Sequence, residues 1–557
     1  MDNNAIADNF SMLAKLMDIH GDNSFKARSY SSAAFAIEKL PVQLALLPHD
    51  KIFSLKGIGD SLGKKIVEQI QNGRLSELDS YLLKTPPGIL EMMKIKGIGP
   101  KKIATIWKEL EVESIGELLY ACNENRLCLF KGFGQKTQQN IKESIEFYLG
   151  NQGSYLYSQI EEYAQALTRR LQNDLKNNTF LLTGDFRRQA EVIHKLEWVT
   201  DATAIELETY FKNGGYTTEI TDAFFSAKGP ENVTLHFYPT PSNQLYNKLF
   251  ATSASADFID EWSNHFIAPA DLSYAAEEEI FAANKVAFIP AFLRETRQII
   301  TKGLNNSLPQ VVQAADIKGI IHTHSNWSDG SHTIEEMAKG AIEKGLEYLV
   351  ISDHSKSAFY ANGLYPDRIK AQHALIDELN EKFKPFRLFK SIESDILNDG
   401  SLDYDEEVLA SFDLVITSVH SNLKMNEAKA MSRLLNAIAN PYTTILGHMT
   451  GRLLLSRNGY PVDYHAIIDA CAQHNVVIEL NAHPRRLDMD WRWINAAVDK
   501  GVLISIDPDA HAVDAFNDVR YGVLAAQKGG LTKEQNLSSF TLPQFEAFLL
   551  KQKEKRG

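Results

Sequence analysis

Apolar and polar positions along this chain fall into three regimes. In IADNFSMLAKLMDIHGDNSFKARSYSSAAFAIEKL, near the start, apolar side chains recur three or four apart. That is the period of one helix face, and it predicts two amphipathic helices. In the middle, TFLLTGDFRRQAEVIHKLEWVT (179–200) reads as strand, turn, short helix and strand. Toward the end, short apolar runs each stop at a polar residue: GII before His322, YLVIS before Asp353, LVITSV before His420, TTIL before Gly447 and VLISI before Asp507. Such runs predict strands. Side chains at the carboxyl ends of successive strands converge on one mouth of a β/α barrel.

A repeat punctuates the first third. LKGIGDSLGKKI (55–66), IKGIGPKKIATI (95–106) and FKGFGQKTQQNI (130–141) each give an apolar residue, Lys-Gly-apolar-Gly and then a helix start. This is the helix-hairpin-helix signature. Its glycines (Gly57 and Gly59, Gly97 and Gly99, Gly132 and Gly134) allow a tight turn and bring backbone N–H groups close to a phosphate. Lys64, Lys65, Lys101, Lys102 and Lys136 follow where the next helix begins. Such a module grips the sugar-phosphate backbone without reading bases.

Composition sharpens this picture. A chain of 557 residues holds several domains, and 44% hydrophobic content is ordinary for a globular protein. The net charge is −13, which argues against nucleic acid for the chain as a whole. Residues 1–150, however, carry 19 Lys and Arg against 18 Asp and Glu, so the acidity lies elsewhere. The three cysteines form no CxxC, which excludes a disulfide scaffold and a thiolate zinc site. The polar start and the lack of an apolar run near the ~20 residues of a membrane span point to a cytoplasmic protein with no membrane partner. Oligomeric state is left open.

The candidate chemistry lies in the last 240 or so residues. His322 and His324 open IHTHSNWSDG, followed by Asp329, His354 in ISDHS, Glu393 in SIESDI, His420 in TSVHS, His448 in LGHMTGR, and Asp509 and His511 in DPDAH. Imidazoles and carboxylates without cysteine suit Zn²⁺, Mn²⁺ or Fe²⁺. Two or three divalent ions a few ångströms apart lower the pKa of a bridging water to give a metal-bound hydroxide, and they neutralise charge building on a phosphate. Arg452, Arg485 and Arg486 lie close by in sequence as candidate phosphate contacts.

On these residues the stretch from about 316 to 557 resembles a PHP (polymerase and histidinol phosphatase) domain, a distorted TIM-like barrel with a trinuclear metal centre. The resemblance implies a first metal on His322, His324, Glu393 and Asp509. A second would share Glu393 and add His420 and His448, and a third would take Asp329, His354 and His511.

The remainder resembles bacterial family X DNA polymerases that carry such a domain. That resemblance implies an all-α lyase-like domain with the first hairpin (1–80), a fingers-like hairpin domain (81–150), an α+β polymerase palm (151–240), a thumb-like segment (241–301), a linker (302–316) and the PHP domain (317–557). The lysine that forms a Schiff base with a 5′-deoxyribose phosphate falls on Lys65. Active members read Gly-Ser-x-Arg-Arg and then Asp-x-Asp. Here Gly184, Arg187 and Arg188 match, Asp185 replaces the serine, Lys195 and Glu197 stand at the two aspartates, and the third aspartate falls on Thr234. Nucleotidyl transfer needs two Mg²⁺ on three carboxylates, so the palm motifs are degenerate. Asp174, Asp185, Glu191 and Asp201 lack the one-residue spacing that would let them substitute.

These features together predict a DNA-binding metal-dependent phosphoesterase. Its expected activity is 3′–5′ exonuclease or other 3′-end or abasic-site processing in DNA repair, on gapped, nicked or 3′-end DNA, beside an inactive polymerase core. Alternatives are an active polymerase with rearranged carboxylates, a non-catalytic DNA-end scaffold and a small-molecule phosphatase of the histidinol-phosphate type.

Overall fold

The structure is a computed structural model, and it describes the chain apart from residues 56, 124–126, 151–152, 230–231, 267–271, 456–457 and 557. Lys56, of the first hairpin repeat, therefore lies outside the described residues. The chain divides into two compact units, Met1–Gln152 and Gly153–Gly557. Among the described residues no helix is long and apolar enough to cross a membrane.

The first unit is helical. Both amphipathic helices form, at Asn3–His20 and Ser24–Glu38, and their periodic apolar faces bury Phe10, Leu13, Met17, Tyr30 and Ile37. The hairpin repeats feed the helices Asp60–Asn72, Pro100–Lys108 and Gln135–Gly150. One apolar core runs from Ile6 to Ile145, so residues 1–80 and 81–150 share a single interior.

The second unit has several apolar cores. A five-stranded sheet orders Phe180–Thr183, Leu196–Thr200, Thr234–Pro239, Phe225–Lys228 and Thr217–Ile220, with helices Tyr157–Asp174 and Ala204–Asn213 beside it. Trp198, Phe211 and Phe237 pack its interior. A smaller core gathers Phe250, Phe258, Trp262 and Phe281. The segment 302–316 is part exposed and part packed. Asn305–Ser307 are exposed, but Val312 is fully buried, its N–H donates to Leu531 O, and Val311 bridges to Thr532.

The C-terminal region holds two all-parallel sheets. One orders Arg387–Lys390, Tyr348–Ile351 and Gly319–Ile320; the other orders Glu393–Asp395, Ile416–Ser418, Ile445–Leu446, Val477–Asn481 and Ile504–Asp507. These strands are almost wholly buried, as expected for parallel strands covered by helices. Bridges His354–Glu393 and Thr323–Ala510 join the sheets at two places, so pairing passes from strand to strand in chain order and from the last back to the first.

Candidate metal centre

Seven of the nine ligand-type residues singled out in the sequence lie just beyond the carboxyl end of one of these strands; Glu393 lies within a strand and Asp329 in the loop after Gly319–Ile320. His322 and His324 follow Gly319–Ile320, His354 follows Tyr348–Ile351, and Asp509 and His511 follow Ile504–Asp507. Glu393 opens its strand, and His420 and His448 lie two residues beyond theirs.

Glu393 is the hub. It is 1% exposed, and its carboxylate faces His322 Nε2 at 3.4 Å, His324 Nε2 at 3.6 Å, His354 Nδ1 at 3.0 Å, His420 Nε2 at 3.2 Å and His448 Nε2 at 3.0 Å. Asp509 Oδ1 lies 3.0 Å from His324 Nε2 and 3.7 Å from His322 Nε2. Asp329 faces His354 Nε2 at 3.7 Å and His511 Nε2 at 3.4 Å. Three groupings could each surround an ion: His322, His324 and Asp509; His354, Glu393 and His420; and His324, Asp329, His354 and His511. The resemblance assigned His324 and His354 to one metal each, whereas here each imidazole serves two groupings. The inner residues are sealed, while His511 is 41% and Asp329 33% exposed, so the centre opens on their side.

The electrostatics are those of opposed charges with little water. Burial pulls the His322 imidazole down, but the carboxylates of Glu479, Asp509 and Glu393 carry it well above its ordinary value. Burial and the neighbouring His511 and His354 push His324 to about 3. Burial alone would raise Glu393, but His420, His322 and His354 hold it well below the usual carboxylate range.

The residues fit divalent ions. Buried His322 Nε2, both ring nitrogens of His324, His354 Nδ1 and Glu393 Oε2 have no hydrogen-bond partner. Orphaned buried polar atoms are costly, and a cluster of lone-pair nitrogens and carboxylate oxygens is what a divalent cation satisfies.

Three carboxylates that sequence reasoning missed support the site. Glu479 Oε2 is 2.7 Å from His322 Nδ1. Asp395 pairs with His420 Nδ1. Asp353 is fully buried and accepts from Ser325 N and Oγ, Ser328 N and Oγ and Gln372 Nε2, which holds the loop carrying Asp329. Two signals were available. Asp395 stands two residues after Glu393, on the same strand face, and Glu479 is a charge inside the apolar run VVIELN.

The candidate phosphate contacts divide. Arg486 Nε lies 3.6 Å from Asp509 Oδ2, beside the metal cluster. Arg485 is exposed. Arg452 is committed elsewhere, to Glu191 in the N-terminal part of the unit and to Asp490 at 3.1 Å, so its charge is not free for phosphate.

The sequence itself can now be placed among known proteins. Residues 1–75 match the family described as a helix-hairpin-helix domain, 89–146 a SAM-like helix-hairpin-helix tandem, and 321–483 a PHP domain. A Bacillus subtilis protein named DNA polymerase/3′-5′ exonuclease PolX is 33% identical, over 96% of this chain and 97% of its own length. The chain belongs to the PolX family. Shorter relatives align as well. A probable phosphatase of Thermoanaerobacter sp. is 26% identical over 43% of this chain and 98% of its own length, and one of Vibrio atlanticus is 28% identical over 35% and 79%.

Within this PolX frame, the palm-like positions form a closed charge knot. Lys195 Nζ is 2.7 Å from Glu197 Oε1, and the Tyr238 hydroxyl donates to the same oxygen at 2.6 Å. A Cβ on Gly184 would sit 1.9 Å from Glu197 Oε2, so the Glu197 carboxylate fills the space above that glycine. The register pairs Leu196 with Leu235 and Glu197 with His236, which sets Lys195 beside Thr234. Neither Thr234 nor His236 supplies a carboxylate. Arg187 makes a bidentate pair with Glu277, and Arg188 pairs with Glu295 and with Asp185 at 3.3 Å. Both arginines are thus spent inside the protein.

In the hairpins, the first glycines take the left-handed conformation, at φ +86° for Gly57 and Gly97 and +92° for Gly132. Gly59 and Gly99 have ordinary φ, and open space surrounds them, as it does Gly134. Backbone strain and packing therefore do not explain those glycines. Lys64, Lys101 and Lys136 are exposed, and Lys102 Nζ donates to Gly97 O at 3.3 Å. Lys65 is paired with Glu77, which also accepts from Lys26 at 2.6 Å and Tyr30 at 2.8 Å. Burial alone would raise Glu77, but these donors hold it at about 2. The Lys65 amine is thus engaged by an acidic partner within the protein.

Proposed function

We propose that this chain is a metal-dependent phosphoesterase that processes 3′ ends of DNA, and that its palm-like core does not synthesise DNA. The convergence of nine imidazoles and carboxylates, with buried lone pairs left unsatisfied, carries the reading. His322, His324, Glu393 and Asp509 would hold one ion, Glu393, His420 and His448 a second, and Asp329, His354 and His511 a third. Bound Mn²⁺, Zn²⁺ or Fe²⁺ supplies Lewis acidity toward a phosphoryl oxygen and acidifies water. The protein's own groups do the rest. Arg486, beside Asp509 at the edge of the cluster, would offer a guanidinium to a phosphate oxygen. Glu479 and Asp395 fix the ring orientation of His322 and His420. The hairpins, through open backbone at Gly59, Gly99 and Gly134 and the exposed Lys64, Lys101 and Lys136, hold the sugar-phosphate backbone. A linear segment of a repair substrate, gapped or nicked, suits such sequence-independent grips.

The palm-like core is read as inactive on charge grounds. Lys195 stands where a dication would be needed, and Glu197 is neutralised by it. The probable phosphatases align with less than half of this chain, and a small-molecule phosphatase leaves the hairpins without a role.

The test is incubation with Mn²⁺, a 5′-labelled gapped primer–template and all four deoxynucleotides, beside His322→Ala. The expected result is a primer that shortens with the native protein and stays intact with the variant. Equal shortening in the variant would overturn the metal-centre assignment, and a lengthened primer would overturn the reading of Lys195, Glu197 and Thr234.

A further inference from the structure

The palm-like sheet region touches the C-terminal region at a point that bears on chemistry. Glu191, just ahead of the strand Val192–Ile193, is 11% exposed and paired with Arg452, 14% exposed. Arg452 stands four residues after the metal-ligand candidate His448. Each of its three nitrogens is engaged: Nε donates to Arg486 O at 3.0 Å, Nη1 lies 3.1 Å from Asp490 Oδ2, and Nη2 reaches Glu191 Oε1 and Leu487 O. Arg492 adds a longer pairing with the other Glu191 oxygen, at 3.9 Å.

The loop that Arg452 grips is the one that carries Arg486. It leaves the strand Val477–Asn481 and turns back on itself, with Arg486 N donating to His483 O at 2.7 Å and Asn481 N to Asp488 O at 2.6 Å. Leu487 is held at φ +42°, a conformation uncommon for a residue with a side chain. Asp488 is fully buried and accepts from Thr450 N and Oγ1, each at 3.0 Å. At the loop's inner edge, Arg486 Nε and Asn481 Nδ2 face Asp509 Oδ2, at 3.6 and 3.2 Å, while Asp509 Oδ1 faces His324. A chain of direct contacts therefore runs from Glu191 through Arg452 to the backbone of Arg486, and from the Arg486 side chain to the metal cluster.

We infer that Glu191 is a positioning residue of the phosphoesterase site, and that the palm-like region serves the hydrolytic reaction by setting the loop that presents Arg486 to phosphate. The inference rests on the phosphoesterase reading. Its physical basis is that a guanidinium's planar fork fixes direction as well as distance. With Nη2 shared between the Glu191 anion and Leu487 O, and Nη1 on Asp490, Nε is aimed at Arg486 O, so the fork spans two consecutive carbonyls of the loop. Neutralising that anion frees Arg452 to turn further toward Asp490, its remaining carboxylate partner, and loosens the Arg486 backbone.

The test compares Glu191→Gln with Glu161→Gln in the full chain loaded with Mn²⁺. Glu161 joins the same two regions elsewhere, through Arg520 and Tyr521 (2.7 Å to the latter's hydroxyl), and touches neither the loop nor the cluster. Hydrolysis is followed on a single-stranded oligonucleotide and on bis(p-nitrophenyl) phosphate. For Glu191→Gln, KM should rise five- to tenfold with kcat within twofold, while Glu161→Gln matches the native protein. Equal loss in both variants would reduce the contact to simple docking and overturn the inference, as would an unchanged KM in Glu191→Gln. A second readout needs no turnover: amide hydrogen exchange of residues 483–490 should be at least tenfold faster in Glu191→Gln than in native protein. If native protein hydrolyses neither substrate, the phosphoesterase reading fails by itself. Unchanged exchange in the loop would then overturn the positioning role separately.

Discussion

Glu479→Gln tests the support of the metal centre without touching a ligand. Glu479 is fully buried, and its Oε2 lies 2.7 Å from His322 Nδ1. Its other oxygen accepts from Asn481 Nδ2 at 2.7 Å and from His448 N at 3.3 Å. When Nδ1–H donates to the carboxylate, the His322 lone pair is fixed on Nε2, the nitrogen that faces Glu393 and Asp509. Glutamine keeps the size and an acceptor but removes the charge. A charge-assisted hydrogen bond is about twice as strong as a neutral one, so the exchange costs roughly 1–1.5 kcal/mol at the imidazole. That corresponds to about tenfold in affinity, at the lower edge of the 10–100-fold range for such outer-shell partners. Competition between the protein and a fluorescent chelator for Mn²⁺ reads this directly. The tightest site should weaken about tenfold. A dissociation constant within twofold of native would refute the claim that Glu479 sets the His322 tautomer.

Two further predictions follow from buried charge and backbone shape. Glu277 joins Arg187 to the fully buried Arg294, and although burial alone would raise its carboxyl, these two arginines hold it at about 2. Because the folded value is depressed, its contribution of roughly 3 kcal/mol is complete above the unfolded value near 4.5 and vanishes as pH falls toward 2. Hydrogen exchange in the helix Ala256–His265 should be faster in Glu277→Gln at pH 7, with the gap to native closing between pH 4.5 and 2; a gap independent of pH would refute the assignment. Gly59 and Gly99 are helix N-caps with open space around them, and asparagine is a favoured N-cap. Gly59→Asn with Gly99→Asn should leave stability within about 0.5 kcal/mol yet weaken duplex binding several-fold by anisotropy. Unchanged affinity would remove these hairpins from DNA contact.

How much of this was legible in the sequence depends on the range of the interaction concerned. The hairpins could be read because a glycine at positive φ is a local requirement, repeated three times. All the ligand candidates but Asp329 could be read because each interrupts or follows a short apolar strand. Partners set by the tertiary fold could not be read. Arg452 looked like a phosphate contact from GHMTGR alone, and its true partner Glu191 stands 261 residues earlier. Arg187 and Arg188 match a polymerase motif, but their partners Glu277 and Glu295 lie about a hundred residues on. Lys65 was singled out by position, and only the fold shows the Glu77 anion against it.

The Lys195–Glu197–Tyr238 knot has an evolutionary consequence. An aspartate at 195 alone would strip Glu197 of its counter-charge and set two carboxylates side by side. Shortening Glu197 alone would empty the space above Gly184 and strand the Lys195 ammonium. Either change alone leaves a charge without its partner, which costs stability. Such a site changes as a unit: a substitution at 195, 197 or 238 is tolerated best alongside a matching one at its partner.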